Sequence, residues 1–316
     1  MTRSQLGTNL IPNTEAQPAD KRKIRRSLLF VDVSNEENVQ RSLSSNTDLV
    51  IYDLEDCVPL DHKQVAKDNI IRILNLERTT NSEIGVRINS IGSGHEVEDL
   101  KLVLPSDKVE VLLIPKVESP SDIHFVCNLI DLYATEEGKK RIRLIAAVET
   151  SLAMMNIREI AQCSDRLDTL MFAVEDYCIN SESTRSAGFP ELYYARSLVS
   201  NAAHAYGLES LDMINIFNPT QADFEEECKQ GYRMGFSGKQ TSDPSHIDTI
   251  HKAYCPDEET IARAVAKIKD FQARTKESLG STMLDNKVTD IPYFKWAERI
   301  LRRARISGVD VDSLLA

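Results

Sequence analysis

The chain has 316 residues, 41% hydrophobic and 28% charged, with a net charge of -11 and a pI near 5.2. That length holds one domain of roughly 250 residues with extensions, or two smaller domains. The acidic balance argues against nucleic acid as the main partner, because phosphate binding needs a basic surface. No run approaches the ~18 apolar residues of a membrane span, so no membrane partner is expected.

Residues 1–25 are polar, contain Pro12 and Pro18, and lack the apolar core of a secretory signal. They read as a flexible arm. Glu15, Asp20 and the absence of a clear basic amphipathic helix weigh against a mitochondrial presequence without closing that alternative. The six cysteines (57, 127, 163, 178, 228 and 255) are scattered, with no CxxC pair and no zinc spacing. Reduced thiols in an intracellular compartment, the cytoplasm first, are the expectation.

From Arg26 short apolar runs alternate with longer stretches of helical periodicity. The runs predict strands at 27–33, 48–55, 83–89, 110–117, 143–150, 169–176, 211–217 and 234–240. Helices are predicted between them, for instance over 61–74, 120–133 and 191–207, the last closed by Gly207. Eight strand–helix units over 26–275 are the inventory of an α/β (β/α)8 TIM barrel. The main alternative, a doubly wound sheet with a dinucleotide site, lacks its GxGxxG after the first strand. Beyond 275 a loop-like stretch leads to an amphipathic segment, 291–304, with Trp296. Residues 276–316 thus form a C-terminal loop and helix, whose apolar face needs either the barrel or a neighbouring subunit to cover it.

Barrel active sites lie at the C-terminal strand ends. Here those ends carry charge: Asp53, Glu55 and Asp56 on the second strand, Arg87 on the third, and Lys116 and Glu118 on the fourth. Glu149 ends the fifth, and Glu175 and Asp176 the sixth. Proximity to water explains charge at any one strand end, but less readily at five in succession. Glu149 and Asp176, facing one cup, suit Mg²⁺ or Mn²⁺ completed by waters and substrate oxygens. An acid/base couple or a salt bridge to Arg87 is the other reading. Arg87 offers a planar fork for a substrate carboxylate. Asp53, Glu55 and Asp56 are placed to orient Arg87 or metal-bound waters, and Glu175 to turn toward protein groups.

The phrases RSLLFV, VIYDLEDCVP, VRIN, IPKVES, AVET, FAVEDY, ELYYARS and GFSGK occur in this order between Arg26 and Asp270. Together they resemble the citrate lyase beta-subunit-like family of the HpcH/HpaI aldolase superfamily. The resemblance implies a (β/α)8 barrel, commonly a homotrimer, using Mg²⁺ to break or make a carbon–carbon bond in citryl, citramalyl or malyl thioesters of CoA or acyl carrier protein. It implies Glu149 and Asp176 as metal ligands, with Glu149 also at the substrate. It implies Arg87 as the carboxylate-binding arginine and Glu55 and Asp56 as its supporting acidic pair. In VTDIP (288–292), Asp290 matches an aspartate that reaches a neighbour's active site as an acid/base group; a plain helix N-cap before Pro292 is compatible with that.

The chain departs from the pattern at two loops. VDVSNEEN (31–38) replaces a Pro-Gly turn after the first strand, and Asp243 stands where an Ile-His-Pro segment would place histidine. The expected activity is a Mg²⁺-dependent lyase, or reverse synthase, on a short hydroxyacyl thioester. The alternatives are a CoA-independent aldolase on a hydroxy-oxo acid and a catalytically silent metal- and ligand-binding barrel.

Overall fold

The computed structural model describes residues 25–215, 220–278 and 290–316, the side chains of 273–278 and 290–292 excepted. Eight strands form one closed barrel: β1 (Ser27–Asp32), β2 (Leu49–Asp53), β3 (Glu83–Arg87), β4 (Val111–Ile114), β5 (Arg143–Val148), β6 (Leu167–Phe172), β7 (Glu209–Asp212) and β8 (Gly238–Thr241). Each pairs in parallel with its sequence neighbour, and β8 closes on β1 through Leu28↔Gln240. The helices are α1 (Glu36–Ser42), α2 (Lys63–Leu74), α3 (Glu96–Val103), α4 (Pro120–Tyr133), α5 (Glu136–Arg141), α6 (Ser151–Ala161), α7 (Val174–Asn180), α8 (Tyr193–Ala205), α9 (Gln221–Arg233), α10 (Ile247–Ala253), α11 (Glu258–Ser278), α12 (Asp290–Ile306) and α13 (Val311–Leu315). The expected TIM barrel is therefore the observed fold.

Strand side chains alternate with period two, which divides the core in two. Leu28, Phe30, Leu49, Ile51, Val111, Leu113, Ile145, Ala147, Met171 and Leu211 fill the barrel interior. The opposite parity, such as Leu29, Val50, Leu112 and Leu144, packs outward beneath the helices. Burying each such side chain contributes about 1.5–3 kcal/mol. At the N-terminal end of the barrel the Arg25 guanidinium is 1% exposed. It donates to Glu83 at 2.7 Å, to Asp168 at 2.9 Å and to Thr169 at 2.8 Å. This charged plug fills that end, whereas at the opposite end the side chains of Lys116 and Asp176 stay 33% and 37% exposed.

Several predicted boundaries shift. The sixth strand stops at Phe172; Ala173 caps α7, and Glu175 and Asp176 lie in that helix's first turn rather than at a strand end. An apolar run specifies burial but not the point where the backbone turns from extended to helical. The eighth strand begins at Gly238, because 234–237 complete the turn out of α9. The seventh, expected at 211–217, is Glu209–Asp212: it starts two residues earlier and has ended before 213–215, and 216–217 lie outside the described residues.

The C-terminal segment has its own small core. Ile261, Ala264 and Ile268 of α11 meet Ala297, Ile300, Leu301 and Ala304 of α12 and Val311 of α13. Arg303 reaches back to the carbonyl of Phe236 at 3.4 Å and stacks over Tyr232. The apolar face of α12 is thus met largely within the chain, by α11 rather than by a barrel wall.

Candidate active site

Alternation carries the buried parity of each strand up to a charged residue. After Leu49 and Ile51 comes Asp53; after Ile145 and Ala147 comes Glu149; and Arg87 follows Gly85 on β3. The sheet register sets Asp53 directly opposite Arg87. Arg87 Nε lies 2.7 Å from Asp53 Oδ1 and Nη2 2.5 Å from Oδ2. Below the guanidinium is the Phe30 ring, 4.6 Å from Cζ. Asp53 Oδ1 and Oδ2 also accept the backbone N–H groups of Glu55 (2.9 Å) and Cys57 (2.8 Å). Burial alone would lift the Asp53 carboxyl; the Arg87 charge and these hydrogen bonds outweigh it and hold the group below the usual carboxylate range.

This geometry changes the expected use of Arg87. Its two-pronged edge is taken by Asp53, and Nη2 also faces the Cys57 thiol at 3.5 Å. The Nη1 end, 3.1 Å from Glu55 Oε2, is what remains for a ligand. Glu55 Oε1 in turn binds Lys116 Nζ at 2.6 Å. Lys116 Nζ also lies 3.2 Å from Asp56 Oδ2 and 3.7 Å from Asp176 Oδ2. The structure therefore gathers Asp53, Glu55, Asp56, Arg87, Lys116, Glu149 and Asp176 at one mouth. Glu175 is turned aside to an ion pair with Arg185.

Glu149 is 1% exposed, and its Oε2 has no hydrogen-bond partner. Burial, then the negative charges of Glu55 and Asp176, push its carboxyl up to about 8 against the pull of Lys116 and Arg87. An orphaned buried oxygen in a cluster short of positive charge fits a cation at that point. Two carboxylates, one buried and one part-exposed, suit Mg²⁺, which keeps several waters. Among the described residues no three His, Cys, Asp or Glu side chains form a metal cluster, so water or a bound ligand would complete any shell.

Glu118, expected near a strand end, instead accepts Thr150 Oγ1 at 2.9 Å while Thr150 caps α6 directly after Glu149. Asp32 accepts the N–H and hydroxyl of Ser34 at 2.8 and 2.7 Å. Asp243 caps a short turn and pairs with Arg41 at 3.5 Å. Asp290 is the first residue of α12, but its side chain lies outside those described. Sequence reasoning placed Lys116 at a strand end without giving it a role, and did not single out Phe30 and Cys57. Parity along β1 flags Phe30, while only the folded loops decide the partners of Lys116 and bring Cys57 to Arg87.

A sequence model of the family described as HpcH/HpaI aldolase/citrate lyase matches residues 26–244. The chain belongs to that family. A second model, described as a carbon–carbon bond lyase of the TIM-barrel fold, matches residues 186–309. Carbon–carbon lyase is accordingly the enzyme class of this HpcH/HpaI member. The chain is 30% identical over 291 residues to citrate lyase subunit beta of Escherichia coli strain K12, covering 92% of this chain and 96% of that protein. It is 28% identical over 292 residues to the mitochondrial citramalyl-CoA lyase of Homo sapiens, covering 89% and 85%. A crystal structure of CitE from Mycobacterium tuberculosis in complex with magnesium, acetoacetate and coenzyme A superposes with a TM-score of 0.69 at 25% identity, covering 89% of this chain and 98% of that one.

Proposed function

We propose that the protein is a Mg²⁺-dependent lyase, or reverse synthase, that cleaves a short hydroxyacyl thioester such as citramalyl-, malyl- or citryl-CoA into an oxo acid and a shorter acyl thioester. The observation that carries this reading is the buried, partnerless Oε2 of Glu149 beside Asp176 at the open end of the barrel. The CitE structure holding magnesium, acetoacetate and coenzyme A supports the same assignment of metal and substrate class.

Glu149 and Asp176 are the residues that would hold the metal, which would supply a Lewis acid to the substrate. The Nη1 end of Arg87 binds the substrate carboxylate, and Glu149 lies beside the same substrate. Asp53 and Glu55 keep that guanidinium charged and fixed in direction, and Asp56 extends the acidic pair toward Lys116. The apolar interior and the Arg25 plug exclude water from below. Cleavage passes the hydroxyl proton to Asp290, breaks the carbon–carbon bond as the carbonyl of the oxo acid forms, and leaves the electron pair on the carbon next to the thioester. Asp290, supplied by a neighbouring subunit of a homotrimer, returns a proton to that carbon. Of the division expected from the sequence, the arm gives up Arg25, which is buried in the barrel, and the C-terminal unit gains α11, which packs on α12 and α13; within that unit 276–316 is the segment that reaches the neighbour.

A second reading, an aldolase without CoA, draws on the carboxylates of Asp32, at the end of β1, and Asp243, in the loop after β8, which disfavour a phosphate there. One experiment separates the two. Malyl-, citramalyl- and citryl-CoA are incubated with the protein, with and without Mg²⁺, and the products are read by mass spectrometry alongside Asp176→Ala. We expect Mg²⁺-dependent release of an oxo acid from at least one, and loss of Mg²⁺ affinity by more than about 100-fold in the variant, whose barrel stays folded. No turnover of any thioester overturns the CoA reading, and unchanged Mg²⁺ affinity in the variant overturns the ligand assignment.

A further inference from the structure

Lys116 stands two residues beyond the end of β4 with φ at 51°, in the left-handed region. A residue with a Cβ pays conformational energy there and persists only where its surroundings over-determine it, most often at functional sites. What determines it here is Nζ, which spans Glu55 at 2.6 Å, Asp56 at 3.2 Å and Asp176 at 3.7 Å. Among the described residues, Arg87 and Lys116 are the two cations within ion-pair distance of the group Asp53, Glu55, Asp56, Glu149 and Asp176. Arg87 engages Asp53 at both oxygens. Lys116 lies closest to Glu55, next to Asp56, and only at the margin of ion-pair distance from Asp176. Glu149 Oε2 is left without a partner.

Building on the magnesium reading above, we infer that Lys116 is a positioning residue that decides which carboxylates become metal ligands. It occupies Glu55 and Asp56 and so withholds them from the coordination shell. Glu149 and Asp176 are left as the protein ligands, with the remaining positions open to water and substrate. Glu55, held on its other oxygen by Arg87 Nη1, stays in the substrate-binding arm instead of swinging to the metal. A shell of two carboxylates and several waters matches Mg²⁺. A shell that gained Glu55 would offer more oxygens in a looser arrangement, which matches Ca²⁺. Lys116 therefore sets both the open coordination positions and the preference for the smaller ion.

The test is calorimetric titration of the full chain with Mg²⁺ and, separately, with Ca²⁺. It compares wild type, Lys116→Gln, Lys116→Gly and the double variant Lys116→Gln/Glu55→Gln, each checked by thermal melting. Lys116→Gln is expected to tighten Ca²⁺ by about tenfold or more and Mg²⁺ by clearly less, as Glu55 joins the shell. Lys116→Gly, which relieves the left-handed backbone, should do the same and so separates charge from strain. Adding Glu55→Gln should return Ca²⁺ affinity to within about threefold of wild type. An unchanged Ca²⁺/Mg²⁺ ratio in folded single variants, or a double variant that keeps the Ca²⁺ gain, overturns the role of Lys116 while leaving the magnesium reading intact. A wild type that binds no Mg²⁺ overturns both.

Discussion

Without Asp53, the Arg87 guanidinium would be left in a nearly closed wall over the Phe30 ring with only Glu55 opposite its far end. Breaking a buried pair from one side is costly, so Asp53→Asn should destabilise the fold by about 3–5 kcal/mol in urea unfolding at pH 7. The pH dependence has a definite sign. Asp53 is held below its ordinary value, so its stabilisation is fully present above about pH 4 and is lost as pH falls through the lower folded value. The gap between wild type and Asp53→Asn should therefore narrow below about pH 4; a gap that is constant down to pH 2.5 would contradict this account. Arg87→Lys tests the same pair from the other side. Lysine cannot grip both oxygens of Asp53 and also present a free N–H to a ligand. Binding of pyruvate or oxaloacetate should weaken by about 100-fold or more, and near-normal affinity would remove Arg87 from the substrate site.

Among the elements, closure of the barrel depends on close approach at its seam. A Cβ at Gly238, the first residue of β8, would strike the backbone carbonyls of Arg25 and Arg26 entering β1. Backbone cannot step aside as a flexible side chain does. Gly238→Ala should cost about 3 kcal/mol or more and broaden the unfolding transition. Gly92, in the loop after β3, has φ at +86° but open space around it. There alanine should cost only about 1 kcal/mol, from backbone strain alone. Equal losses at the two sites would mean that packing at the seam is not what limits closure. Across the top of the barrel, Gln240 of β8 donates to the carbonyls of Phe172 and Asp212, both at 2.9 Å. It ties the ends of β6 and β7 together just before α7 delivers Asp176.

For the whole molecule, the C-terminal segment is the part that a truncation tests. Its core of α11, α12 and α13 is formed within one chain, yet Tyr293 on α12 remains 60% exposed. If Asp290 serves a neighbour's site, deleting 276–316 should lower both the assembly size in sedimentation and the turnover rate. A truncated protein with the original mass distribution and full turnover would confine catalysis to the barrel of one chain. Among the described residues no helix is long and apolar enough to cross a membrane, and none of the six cysteines is in a disulfide.

The sequence by itself determined the strand–helix order, the alternation that separates barrel interior from outer layer, and the charged residues that end the buried faces. Those features are local: side-chain parity and propensity are properties of a few adjacent residues. It also determined the family, because the ordered phrases span nearly the whole barrel. Only the tertiary structure decided who partners whom. Asp53 and Arg87 are 34 residues apart and meet through the β2–β3 register. Lys116 reaches Glu55 across 61 residues from a left-handed turn that no local pattern announces. Asp176 arrives from the first turn of a helix rather than a strand end. Electrostatic partnership acts through space, and barrel closure fixes which charges are near enough to act on one another.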